Sequence, residues 1–172
     1  LHLAIFVHRV DDLAAGLYFL LRDPEQRTAM ETALTQTFEW RRPLGCPQHL
    51  DLFCLVEGDV RNEARQISCG QEIASDGCFS LGMIAEYEES LKQYGPRFYP
   101  RLFWEAGVIG QVLYLEAEAA RIRSTGIGCY FDDPMHDILG LKDQGYQDLY
   151  HFTLGGPIED TRLTTLPSYP ED

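Results

Sequence analysis

The chain opens on an apolar run, Leu1 to Val10 (LHLAIFVHRV), rich in β-branched and aliphatic residues. A polar break at Asp11-Asp12 separates it from a second apolar run, Gly16 to Leu21. Two strands with a short polar connection are the simplest element for that pattern. Asp23-Pro24-Glu25 reads as a helix start, with Asp as cap, Pro at the first helical position and an acid in the first turn. The helix is expected to run to about Phe38. Arg41 to Gln48, carrying Pro43, Gly45 and Pro47, is a loop. Leu50 to Glu57 is strand-like, Asp59 can cap a helix through about Cys69 or further, and Cys78 to Glu86 is a further strand. Tyr94 to Tyr99 (YGPRFY) is an irregular aromatic and basic stretch.

The clearest periodicity lies between Pro100 and about Arg123. Apolar residues recur at Leu102, Ala106, Ile109, Leu113, Ala117 and Ala120, at intervals of 4, 3, 4, 4 and 3. That is the spacing of a helix buried along one face, and it predicts a core helix. Ser124 to Phe131 is a glycine-bearing turn and short strand. Asp133-Pro134 starts a short helix to Leu141, with Gly140 near its end. Asp148 to Leu154 is a last strand stopped by Gly155-Gly156-Pro157. Helices interspersed with strands give a mixed α/β or α+β domain.

Composition narrows the function. The 172 residues fit one domain, and 45% apolar with 24% charged residues exclude wholesale disorder. The net charge, 14 − 27 = −13, argues against nucleic acid and against an anionic membrane surface as partners. No apolar run reaches the roughly 18 residues of a membrane span. The chain begins at Leu1, inside a strand-like run, so a single domain over residues 1–172 is expected to be part of a longer chain. Cys46, Cys54, Cys69, Cys78 and Cys129 form no CxxC pair and no zinc-ligand spacing, so no metal site is expected. Reduced thiols in a cytoplasmic protein are the expectation.

Five segments of the C-terminal half, taken in order, carry more. They are Tyr94-Gly95-Pro96-Arg97, the helix Glu105 to Ala117 (EAGVIGQVLYLEA), Gly126 to Asp133 (GIGCYFDD), His136 with Leu139-Gly140-Leu141, and Leu149 to Pro157 (LYHFTLGGP). Their succession over Gln66 to Arg162 resembles the C-terminal half of the nitroreductase superfamily of flavin mononucleotide (FMN) enzymes. It is most similar to the branch that dehydrogenates azoline rings to thiazoles and oxazoles in peptides. The resemblance implies an α+β sandwich, a central and mainly antiparallel sheet flanked by helices, present here in part. It implies FMN as cofactor, hydride transfer through flavin N5, a small-molecule or peptide substrate, and NAD(P)H as an electron donor. It further implies a homodimer or fused tandem domain with the flavin at the interface. The alternative is a flavin-free domain of the same type acting as an assembly or interaction module.

The resemblance also assigns residues. Ile127 packs on the flavin ring, Gly128 and Cys129 bring a backbone N–H towards N5, and Arg162 holds the phosphate. Glycine at 126 and 128 fits either a backbone that approaches a flat ligand or a plain turn. Arg suits phosphate through its bidentate fork. The family's Arg-Arg-Ser-x-Arg-like phosphate motif is absent, and Gln93 stands where the azoline branch has a lysine before Tyr-Gly, with Lys92 one step earlier. Gln111 is a polar residue among apolar helix positions. Glu105 and Glu116 read as helix-surface carboxylates, and His8, His136 and His151 have no partner visible from spacing.

Overall fold

A computed structural model describes residues 1–158 and 160–169; Glu159 and the last three residues of the proline-containing tail lie outside the described residues. The first apolar run forms strand β1 (His2–Val7) and the second forms β2 (Gly16–Leu20). They pair antiparallel, Leu3 opposite Leu20 and Val7 opposite Gly16. β3 (Leu52–Glu57) extends this sheet beyond β2, and β4 (Phe79–Glu86) pairs with the other side of β1. β5 (Arg123–Ile127) and β6 (Tyr146–Gly155) complete it. The six strands lie in the order β3-β2-β1-β4-β6-β5, every neighbouring pair antiparallel. The expected α+β sheet is thus present.

Successive strand side chains point to opposite faces, which divides the core into two layers. Ala4, Phe6, Leu17, Phe19, Phe53 and Leu55 face α1 (Arg27–Ala33), α2 (Arg61–Ile67) and α6 (Asp132–Leu139), meeting Met30, Ile67, Met135 and Leu139. Leu3, Leu81, Met83, Phe152 and Leu154 face the long helix α5 (Tyr99–Ala119) and meet Ala106 and Ala117. Each large side chain so buried stabilises the fold by roughly 1.5–3 kcal/mol.

Helix ends show where the sequence pattern falls short. α6 ends as expected: Gly140 has φ of 77°, Gly140 N–H bonds to Asp137 O and Leu141 N–H to His136 O. The same two-bond closure ends α5 at Arg121 (φ 57°), through Arg121 N–H to Glu118 O and Ile122 N–H to Ala117 O. A non-glycine residue in that left-handed position gave no stop signal, so α5 ends at Ala119 rather than near Arg123. Asp23 accepts a hydrogen bond from Glu25 N–H at 3.1 Å and Pro24–Gln26 form a 3₁₀ turn. The helix that follows ends at Ala33, five residues short of the expected Phe38, because the Gln36 amide bonds back to the carbonyls of Glu31, Thr32 and Leu34. Two short helices, α3 (Ile73–Asp76) and α4 (Glu88–Tyr94), have no counterpart in the sequence reading. α4 buries none of its residues and is braced by a Lys92–Glu88 ion pair at 3.0 Å, so it carries no apolar period.

The expectation of five reduced cysteines is overturned. Cys69, just beyond α2, and Cys129, between β5 and α6, are joined by a disulfide with their Cα atoms 5.9 Å apart. Their separation of 60 residues hides the pairing from any spacing rule. Cys46, Cys54 and Cys78 are free.

Candidate functional site

The turn from β5 into α6 carries three of the four residues the resemblance singles out. Ile127 closes β5 with its side chain 3% exposed, facing the interior, whereas Gly128 and Cys129 are exposed. The two glycines differ in kind. A Cβ on Gly126 would run into the Tyr150 hydroxyl and sit 2.9 Å from its Cζ, so this glycine lets Tyr150 of the neighbouring strand pack. The Gly126 N–H in turn donates to the Tyr114 hydroxyl of α5 at 2.9 Å. At Gly128 a Cβ would meet nothing within 4 Å, and φ lies outside the left-handed region. Neither packing nor backbone conformation requires glycine there. Among the described residues, the Gly128 and Cys129 amides donate to no protein acceptor.

The turn is held from below. Gln71 Nε2 donates to Cys129 O at 3.1 Å, Phe131 N–H donates to Ile67 O at 2.7 Å, and the disulfide adds a covalent tie. The Tyr130 ring stacks on His151 at 4.6 Å between centroids, and its hydroxyl donates to Leu149 O at 2.5 Å. Burial, and after it the Asp148 carboxylate, push the Tyr130 phenol up to about 12.

Beneath Tyr130 lies a buried polar chain that spacing did not reveal. His151 Nε2 is 2.6 Å from Asp148 Oδ2, and His151 Nδ1 is 3.3 Å from Ser68 Oγ. All three residues are no more than 2% exposed. Residues three apart on a regular strand face opposite sides of the sheet. Here the register of β6 against β4 slips between Gly82, opposite His151, and Ile84, opposite Asp148. The bulge turns both side chains to the same face. Gly82 leaves them room, since a Cβ there would lie 3.0 Å from Asp148 Oδ1 and 3.3 Å from His151 Nε2. Burial raises the Asp148 carboxyl above the ordinary carboxylate range, while His151 opposes that rise. The order serine–histidine–aspartate is that of a nucleophile relay. Ser68 is 1% exposed, however, and no substrate can reach its oxygen, so the chain positions Tyr130 and the end of α2 instead.

The remaining sequence candidates lie elsewhere. Arg162, 87% exposed on the segment after β6, is paired with Asp160 at 2.6 Å. Lys92 pairs with Glu88 on the solvent side of α4, and Gln93 is exposed. Glu105 takes the Arg22 guanidinium at 2.5 Å. His8 Nε2 lies 2.9 Å from Ala74 O, and His136 Nε2 accepts from Asp148 N–H at 3.2 Å. Gln111, with Gly107, Gly110, Tyr114, Tyr150 and Phe152, lines a shallow cavity of about 230 Å³ between α5 and the sheet. α5 buries the face its periodicity marks at Leu102, Ala106 and Ala117, with Ile109 and Leu113 half-buried and Ala120 exposed. Its opposite face leaves Trp104, Val108, Val112 and Leu115 exposed at 66%, 64%, 51% and 61%. Among the described residues, no helix is long and apolar enough to cross a membrane.

No protein-family profile matches the chain. A protein of Methanocaldococcus jannaschii provisionally named a nitroreductase is 23% identical over 97 residues, 56% of this chain and 49% of that protein. The chain therefore spans about half the length of the curated relative it matches. Among solved structures, a provisionally named nitroreductase from Anabaena variabilis superposes with a TM-score of 0.68 and 24% identity, covering 91% of this chain and 27% of that one. A chain of the Escherichia coli microcin synthetase McbBCD complex, solved with truncated pro-MccB17 bound, gives 0.62 and 20%, covering 92% of this chain and 51% of that one. Six antiparallel strands with helices on both faces, matched over nine-tenths of the chain in these structures, give this protein a nitroreductase-like α+β fold.

Proposed function

We propose that this chain is one nitroreductase-like domain of an FMN-dependent oxidoreductase, part of a longer chain or half of a pair, with the flavin ring laid along Gly128 and Cys129. The observation that carries the reading is the open space in front of Gly128. Nothing inside the protein requires glycine at that exposed position, and a flat ligand over the turn supplies the reason. The free Gly128 and Cys129 amides would then orient the ring edge, and Ile127 would support the turn from the interior. When bound, the flavin supplies hydride transfer at N5 between an electron donor such as NAD(P)H and a second substrate. Arg162 would have to exchange Asp160 for the flavin phosphate. The rest of the phosphate grip is proposed to come from a second copy or a fused second domain. Such a partner would also cover Trp104, Val108, Val112 and Leu115 on α5, a larger apolar stripe than a free surface helix carries.

The finer reading, a peptide substrate of the azoline type, is supported by the sequence resemblance and by the likeness to a chain of the microcin synthetase complex.

The test compares wild type with Gly128→Val, each with its full complement of chains, for FMN content by absorbance and for thermal stability. Wild type is expected to retain FMN and Gly128→Val to lose it. An exposed position of ordinary φ should change stability by no more than about 0.5 kcal/mol, so the variant should melt with flavin-stripped wild type. A variant that keeps its flavin refutes the placement. A wild type that binds no FMN refutes the assignment and leaves the assembly module.

A further inference from the structure

The disulfide lies apart from the core that holds the sheet together. Neither Cys69 nor Cys129 belongs to any of the buried clusters, Cys129 is exposed and Cys69 is half-buried. The bond joins the end of α2 to a surface turn, not one layer of the core to another. Both flanking residues reach the same buried group: Ser68, next to Cys69, touches His151 Nδ1, and Tyr130, next to Cys129, stacks on the His151 ring. Among the described residues, two hydrogen bonds besides the disulfide tie the turn to the end of α2 and the segment after it, from Gln71 to Cys129 O and from Phe131 to Ile67 O. Cys69 also holds a left-handed backbone (φ 56°), unfavourable for a residue with a Cβ.

We propose that Cys69–Cys129 is a reversible redox clamp, opened by a dithiol reductant in the folded protein, which frees the Gly128–Phe131 turn from the end of α2. A thiolate of the reductant attacks the sulfur of Cys129, the more exposed residue of the pair. The bond to Cys69 breaks, and Cys69 leaves as a thiolate that takes up a proton. The second thiol of the reductant then attacks its own sulfur in the mixed disulfide, and Cys129 leaves as a thiolate and is protonated in turn. Two electrons and two protons pass to the cysteines, and the reductant becomes a disulfide. The two layers of core stay packed because neither depends on the bond. The clamp does not rest on flavin binding, although the turn it holds is the one proposed to face the ring.

The experiment uses the full protein purified without reductant. Alkylation mapped by mass spectrometry is run before and after dithiothreitol in native buffer, and hydrogen exchange is followed at the Phe131 amide, which donates to Ile67 O. The expected result is that Cys69 and Cys129 resist alkylation at first and both react after reduction. The far-UV spectrum and a cooperative melt should persist, while exchange of the Phe131 amide quickens about tenfold or more. Oxidised glutathione should restore the slow exchange, and the Cys69→Ser/Cys129→Ser variant should match the reduced protein. Three results would overturn the proposal: both thiols reactive before reduction, reduction only in denaturant, or Phe131 exchange unchanged on opening.

Discussion

Removing the Asp148 carboxylate tests whether the buried chain acts as a unit. Asp148 is 2% exposed and its Oδ2 lies 2.6 Å from His151 Nε2, whereas its Oδ1 is buried with no partner among the described residues. Deleting one member of a buried, hydrogen-bonded pair of ionisable groups costs about 3–5 kcal/mol. The orphaned Oδ1 already costs the native state about 1–3 kcal/mol, and that cost disappears with the carboxylate. The difference puts Asp148→Ala at about 2 kcal/mol of lost stability. His151→Ala should lose more, since it also empties the space under the Tyr130 ring and leaves Asp148 unpaired. Urea denaturation of wild type, both single variants and the double variant closes a cycle. A coupling of about 1–3 kcal/mol is expected for two side chains in one hydrogen-bonded network. A coupling below about 0.5 kcal/mol would show that Asp148 and His151 act independently and would refute the description of the chain as one unit.

Burial lowers the His2 imidazole from its ordinary value of 6.5 to about 4. The unfolded chain therefore binds the extra proton first, and stability should fall as pH drops from about 6.5 towards 4, by at most about 3 kcal/mol. In His2→Gln that part of the slope should vanish, and equal slopes in denaturation series across this range would refute the reading. Trp104→Glu with Val108→Glu places charge in the exposed α5 stripe and should separate the proposed pair into single copies. Sedimentation velocity checks this, and an unchanged oligomer would exclude α5 as the contact.

The sequence determined what short-range physics determines. The apolar runs of β1 and β2, the Asp23-Pro24 start, the buried face of α5 and the Gly140 stop are each set by residues within a turn or two of one another. The order of the chemistry-bearing segments in the C-terminal half likewise carried the fold. It marked the turn at Gly126 to Cys129 but not how its two glycines differ, because that depends on Tyr150 of the neighbouring strand lying against one and open space against the other. The polar chain was out of reach for a similar reason. Asp148 and His151 look like opposite-facing strand positions until the bulge opposite Gly82 and Ile84 turns them together, and Ser68 arrives from 83 residues away. The disulfide joins cysteines whose neighbours in sequence give no sign of each other. What only the tertiary structure decided, then, is every contact whose geometry is fixed by strand register and by the packing of α2 beneath the β5–α6 turn. Local patterning sets which face a residue prefers, but a one-residue slip in register reverses that choice, and register is settled only when the whole sheet assembles.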